Sequence, residues 1–207
     1  MTETIDIKQR NRARRSLVLL FVMFSAPVVL AWYIYFAGTE WIPKGRVNQG
    51  ELVVPARPLK LPLATDLDGK PFDTEPMFAH YWTMVYLGDN DCDQHCKDQL
   101  YKIRQVRIGT NKNMYRVATA FFVSNGKPPV DIEFLRTEHP KLTSLIMENS
   151  EALMDQFRVG DEPDAQAKGR IYMVDPLGNL MMRYAPDVNP SDIAKDLKRL
   201  LKVSAVR

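Results

Sequence analysis

After its sixteenth residue this chain carries no net charge, and its 207 residues include only two cysteines and three histidines. Five of the 28 basic residues (Lys8, Arg10, Arg12, Arg14 and Arg15) fall in the first sixteen positions, against Glu3 and Asp6 among the 25 acidic ones, which leaves 23 of each sign for the remainder. The sequence pI of about 8.8 therefore belongs to the N-terminus and not to a basic domain. Binding to phosphate backbones needs a clustered positive face, so no nucleic-acid partner is expected. Internal repeats and low-complexity tracts are absent. All thiol chemistry rests on a single pair, and the chain is long enough for one domain and little else.

Charge is also missing from Ser16 to Thr39. The apolar run from Leu17 to Ala37 has the ~20 residues that cross a bilayer as a helix. Pro27 interrupts it, which spanning helices tolerate, and Trp32, Tyr33, Tyr35 and Trp41 cluster at its far end, where amphipathic rings favour the interface. A cleaved signal peptide is the rival reading. Its apolar region is usually about 7–15 residues and ends in a small-x-small site; this run is longer and ends in bulky aromatics, so an uncleaved anchor is expected. The basic flank precedes the anchor and places the N-terminus in the cytoplasm. The rest then lies on the periplasmic or extracytoplasmic side of an inner (cytoplasmic) membrane, with the lipid bilayer as one partner. Arg14-Arg15 alone does not establish a twin-arginine signal, and Glu3 and Asp6 weigh against a mitochondrial presequence.

The expected organisation is a basic tail over 1–16, a transmembrane helix over 17–37, an extended tether over 38–62 and one α/β domain over 63–207. Pro43, Pro55, Pro58 and Pro62 with Gly45 and Gly50 mark the tether, because proline breaks regular pairing. Asp68-Gly69 is a hairpin-turn signal. Trp82–Leu87 and Val117–Val123 read as buried strands, with a helix between them that carries Leu100, Ile103 and Arg107 and has Asp91 as its N-cap. Leu142–Phe157 has a near-helical apolar spacing and is read as a helix. Ile171–Val174 and Leu180–Tyr184 flank the turn Asp175-Pro176-Leu177-Gly178-Asn179 as a second hairpin. A final helix runs from about Ser191 to Val203, with Ile193, Leu197, Leu200 and Leu201 inward. A strand–helix–strand unit implies parallel neighbours with helices over the sheet.

Both cysteines lie in Asp89-Asn90-Asp91-Cys92-Asp93-Gln94-His95-Cys96. Four apart at a helix start, they face one side, within reach of a disulfide or of one soft metal ion. A bridge over three intervening residues closes a very short loop and is a poor staple, which favours reactive or metal-binding thiols over a structural bridge. Helix N–H groups favour the thiolate. Asp89, Asp91 and Asp93 oppose it and attract cations, so the pair suits a reductant or a cation site better than an oxidant. His95 stabilises a thiolate when protonated and ligates metal when neutral, or is simply an exposed first-turn histidine. His80 and His139 are read as solvent-facing.

The stretch Tyr86-Leu87-Gly88-Asp89-Asn90-Asp91-Cys92-Asp93-Gln94-His95-Cys96 resembles the strand-turn-helix site of the Sco/SenC family, and Ile171–Gly178 resembles that family's following strand and turn. The anchor, the Pro-rich tether and the Asp68-Gly69-Lys70 hairpin agree. The resemblance implies a thioredoxin-like fold and a membrane-tethered factor in cytochrome c oxidase assembly. Such factors bind copper, and deliver it to the binuclear site of oxidase subunit II or reduce that site's cysteines. Two positions depart from the pattern. Asp93 replaces the usual proline, and Ala167 stands where the family's copper-ligating histidine is expected. Peroxiredoxin fits less well, since Asp89 replaces its threonine.

Three functions follow from the residues and the resemblance together. The leading one is a thiol-disulfide reductase using Cys92 to attack and Cys96 to resolve, acting on subunit II or another assembly factor. The second is a copper(I) chaperone using Cys92, Cys96 and His95. The third is a non-catalytic assembly subunit that keeps the fold for docking.

Overall fold

The computed structural model describes residues 7–37, 48–159 and 169–204, and the chain divides into two units, Met1–Arg46 and Val47–Arg207. In the first, helix α1 (Ile7–Ala37) runs for 31 residues through Pro27. Its segment Arg10–Phe36 is long and apolar enough to cross a membrane, with a mean hydropathy of 2.4 in its most apolar window.

The second unit is built on one eight-stranded sheet of order β1-β8-β7-β4-β5-β6-β2-β3. Its centre is β4 (Trp82–Gly88), β5 (Val117–Val123) and β6 (Leu142–Met147), which pair in parallel. The β4-to-β5 crossover is α2 (Gln94–Ile108) followed by a short 3₁₀ helix, and the β5-to-β6 crossover contains α3 (Ile132–Glu138). Beyond β6 come α4 (Ser150–Phe157), the antiparallel hairpin β7 (Ile171–Val174) with β8 (Asn179–Tyr184), and α5 (Pro190–Val203). A small hairpin, β2 (Ala64–Thr65) with β3 (Pro71–Phe72), joins the β6 edge. Its turn is made by Asp66 and by Gly69 at φ +76°, a conformation natural to glycine.

Strand periodicity divides the core into two layers. Met84, Tyr86, Phe121 and Ile146 point to one face, against Leu100, Ile103 and Val106 of α2, Leu135 of α3 and Ile193, Leu197 and Leu201 of α5. Val85, Leu87, Phe122, Leu145 and Met147 point to the other, against Leu153, Met154 and Phe157 of α4. Both faces of β4 are covered, so it reads as an unbroken apolar run.

Several sequence expectations need correction. Leu142–Phe157 is not one helix but β6 followed by α4. A short apolar run fits either period, and here the parallel sheet claims Leu142–Met147 while Asn149 caps the new helix by accepting from Ala152 N. The tether read over 38–62 is shortened, because Glu51–Pro58 forms β1 and pairs with β8. Edge strands accept proline; Pro55 falls where the register shifts, between Leu52 and Arg57, and Pro58 ends the strand. The sheet therefore begins before Leu63, while residues 38–47 of the tether lie outside the described residues. Helix α3 was not anticipated. His139, read as solvent-facing, is 5% exposed and packs edge-on against Phe134. Burial, and then the charge of Arg104, holds its imidazole below the usual histidine pKa.

Candidate functional site: the Cys92–Cys96 disulfide

In open α/β sheets, functional groups gather beyond the carboxyl ends of parallel strands. Here the loop after β4 carries both cysteines, and it is stitched to the loop after β5. Ser124 N donates to Gly88 O at 2.9 Å, Ser124 Oγ to Asp89 Oδ1 at 2.8 Å, and Asn125 Nδ2 to Asn90 Oδ1 at 2.7 Å. Val130 N donates to Asn90 O at 2.9 Å. From the other side, Gly169 N donates to Leu87 O at 3.0 Å, so the chain entering β7 arrives at the same edge.

Cys92 and Cys96 form a disulfide with a Cα–Cα distance of 5.0 Å, and both residues are buried. The helix begins two residues later than read from the sequence. Asp93, not Asp91, is the N-cap, its carboxylate accepting from Cys96 N at 2.9 Å. Cys96 therefore sits in the first turn, while Cys92 lies just ahead of the cap at φ 35°. That left-handed conformation is uncommon for a residue with a side chain and costs on the order of 1 kcal/mol.

As a staple the bridge is weak. Loop-closure entropy for so short a loop gives about 2 kcal/mol, against about 4.7 for a hundred-residue loop.

The electrostatics around the pair are negative. Asp91 and Asp93 are exposed. Beneath the loop, the phenol of Tyr86, in the same core cluster as both cysteines, is pushed well above its usual pKa by burial, then by the charges of Asp93, Asp89 and Asp91. The three carboxylates thus act together on the buried side of the site. The nearby cation, Lys97, is held by Asp131 at 3.1 Å and lies 4.6 Å over the Phe134 ring. Asp131 caps α3, and its carboxyl is held below the usual range by the Phe134 N–H and then by Lys97.

His95 is exposed, with its Nε2 3.4 Å from Gln99 Nε2. A Cβ added at Gly169 would lie 3.5 Å from that same Nε2, which places the imidazole beside the chain entering β7. Gln99 is buried, donates to Pro186 O at 2.8 Å, and leaves its Oε1 without a partner. Gln99, Asn90, Asn125 and Ser124 were not picked out from the sequence; their partners lie up to 87 residues away, beyond any local pattern.

Among the described residues, no group of three or more His, Cys, Asp or Glu side chains is placed to hold a metal ion. With the two sulfurs bonded to each other, neither serves as a thiolate ligand for copper in this oxidised form. Ala167, the position expected to carry the third ligand, lies outside the described residues.

A parallel-centred sheet with a cysteine pair at the junction of β4 and α2 defines a thioredoxin-like protein. The chain belongs to the family described as "Transmembrane-like, thioredoxin-like, C-terminal domain", which matches residues 82–204. Among solved structures it is similar to yeast Sco1 with copper bound, at 19% identity over 78% of this chain and 97% of that one, with a TM-score of 0.55. Apo Sco1 from Thermus thermophilus gives 16% identity over 75% and 99%, with a TM-score of 0.57. BsSco, described as a member of the Sco family of cytochrome c oxidase assembly proteins with a disulfide switch, gives 15% over 77% and 98%, with a TM-score of 0.50. The Sco/SenC resemblance read from the sequence is thereby borne out in the fold. No curated protein matches the chain in sequence.

Proposed function

We propose that this chain is a membrane-anchored thiol-disulfide reductase acting in the assembly of a cytochrome c oxidase copper site. One observation carries the reading: the only two cysteines are joined in a short-loop disulfide at the carboxyl edge of the parallel strands, among three carboxylates. The fold shared with oxidase assembly proteins supplies the context.

In the reduced protein, the Cys92 thiolate attacks one sulfur of a substrate disulfide. The substrate S–S bond breaks, and its second sulfur leaves as a thiolate that takes up a proton. Cys96 then attacks Cys92 Sγ, releasing the first substrate sulfur and leaving the Cys92–Cys96 bond. Two electrons and two protons reach the substrate, and an external dithiol must reduce the pair for another round. The acidic cluster supports this direction of flow. Oxidising pairs are made by stabilising the reduced thiolate form; carboxylates destabilise it, so the disulfide is favoured and the dithiol is a good donor. Exchanging Asp91 and Asp93 for Asn should raise the potential by about 10–30 mV, where 30 mV is about 1.4 kcal/mol. Asn caps a helix as well as Asp does, so the comparison leaves α2 in place. A redox titration showing a downward shift in the double variant would count against the electrostatic argument.

The domain boundaries and the topology belong to the same reading: a basic tail over 1–16, the anchor over 17–37, a tether, and the domain in the periplasm or an equivalent compartment. Its substrate would be oxidase subunit II or another assembly factor. A reporter enzyme active only in the cytoplasm, fused after Arg207, should be silent; activity there would reverse the orientation. The copper(I)-chaperone alternative rests on neighbours solved with copper bound. It would require both sulfurs reduced, with His95 or another donor brought to them. Titration with copper(I) against a chelator separates it from the reductase, and loss of both redox turnover and copper binding would leave the docking role.

A further inference from the structure

A cleft away from the disulfide lies between the C-terminal half of α2 and the start of β6. Leu100, Ile103 and Leu142 are among its apolar lining, Arg104, Arg107 and Lys141 are its cations, and its volume is about 200 Å³. That is below the ~300–1,000 Å³ of small-molecule sites and suits a single side chain. Arg104 pairs with Glu138 at 3.5 Å, and Arg107 donates Nε to Val117 O at 2.8 Å, a bond that leaves its terminal nitrogens unengaged among the described residues. Lys141 is exposed. The α2 residues beside the cleft are unusual for a solvent face: Tyr101 and Ile108, seven apart and flanking Arg104, are 57% and 46% exposed.

We propose that this cleft docks an acidic peptide segment of a partner protein, one bulky apolar side chain filling the pocket and flanking carboxylates meeting Arg104, Arg107 and Lys141. Charge complementarity selects the occupant: three cations against one acid, the Glu138 already paired with Arg104, leave a net positive rim around an apolar cavity, which matches an apolar anchor between acids and disfavours a basic segment. His139 also lines the cavity, its pKa lowered by burial and then by Arg104, with Glu138 opposing. The inference does not rest on the redox reading. It fits that reading nonetheless, because Cys96 and Arg104 are eight residues apart on α2, a rise of ~12 Å, so a partner seated in the cleft has its neighbouring residues within a few extended positions of the disulfide.

The test uses the full chain in detergent micelles and a dye-labelled nonapeptide with a central phenylalanine and acidic flanks, read by fluorescence anisotropy. Saturable binding is expected, at least tenfold weaker for the alanine-centred peptide and absent for a lysine-flanked one. Lys141→Glu and Ile108→Asp, both at exposed positions that leave the core intact, should each weaken it about tenfold. Bound acidic peptide should also raise the titration midpoint of the His139 ring in NMR. No saturable binding, equal binding of the lysine-flanked peptide, or binding untouched by both variants would overturn the proposal.

Discussion

Cys96→Ala is expected to accumulate a covalent adduct with its substrate protein, while Cys92→Ala yields none. Exchange passes through a mixed disulfide, and the attacking sulfur is Cys92 in this reading. Removing Cys96 deletes the only second sulfur in the chain able to release it. The adduct should persist until external thiol is added and then disappear, with turnover lost in both variants. Folding should survive, because the bridge contributes only about 2 kcal/mol by loop entropy. The Cys96 amide that bonds Asp93 is unchanged by the substitution. Non-reducing electrophoresis of membranes followed by identification of the adduct reads the outcome directly. Trapping by Cys92→Ala instead would exchange the two roles, and trapping by neither would remove the exchange mechanism.

The largest expected loss of stability comes from Asp196→Ala. Asp196 is 1% exposed on α5. Its carboxylate accepts from Gln49 N and Gly50 N, each at 2.9 Å, and from the Tyr184 hydroxyl and Arg199 Nη1, each at 3.4 Å. It thereby fastens the entry to β1 onto the C-terminal helix. Gly50 is needed there, since an added Cβ would meet the Tyr184 ring at 2.5 Å. The field of the carboxylate is felt at Tyr184, whose hydroxyl is pushed above its usual pKa by burial and then by Asp196. Alanine would strand the buried Gly50 N–H, at about 1–3 kcal/mol, and take an acceptor from the buried Tyr184 hydroxyl, while the N–H of the exposed Gln49 turns to water. A loss of about 2–4 kcal/mol is expected in the unfolding free energy from denaturant titration, with Asp196→Asn losing roughly half because one acceptor oxygen remains. A loss under ~1 kcal/mol for alanine would show that water replaces the carboxylate and that the latch is dispensable.

Local pattern was enough for the elements whose signals agree with their surroundings. Trp82–Gly88 and Val117–Val123 are unbroken apolar runs because both faces of the sheet are covered. The two hairpins carry their own turn residues, and α5 has an apolar stripe, Pro190 in its first turn and Asn189 as its cap. The cysteine pair was equally plain. What the sequence concealed depends on distant partners. Leu142–Met147 becomes a strand only because β5 is there to pair with it. Glu51–Pro58 carries proline, and pairs because β8 offers an open edge and the register shift takes up Pro55. His139 is buried by an unanticipated helix, and Ser124 and Asn125, which bind the cysteine loop, belong to another crossover.

The central claim is that Cys92 and Cys96 form a reversible and reducing redox pair. The most direct test equilibrates the full chain in graded mixtures of reduced and oxidised dithiothreitol and counts free thiols by alkylation and mass. The expected result is a single two-electron transition at a potential of about −200 mV or lower, well on the reducing side of a dedicated disulfide donor at about −120 mV. A potential near that of the donor, or a disulfide that does not open reversibly anywhere in the range, would contradict the account.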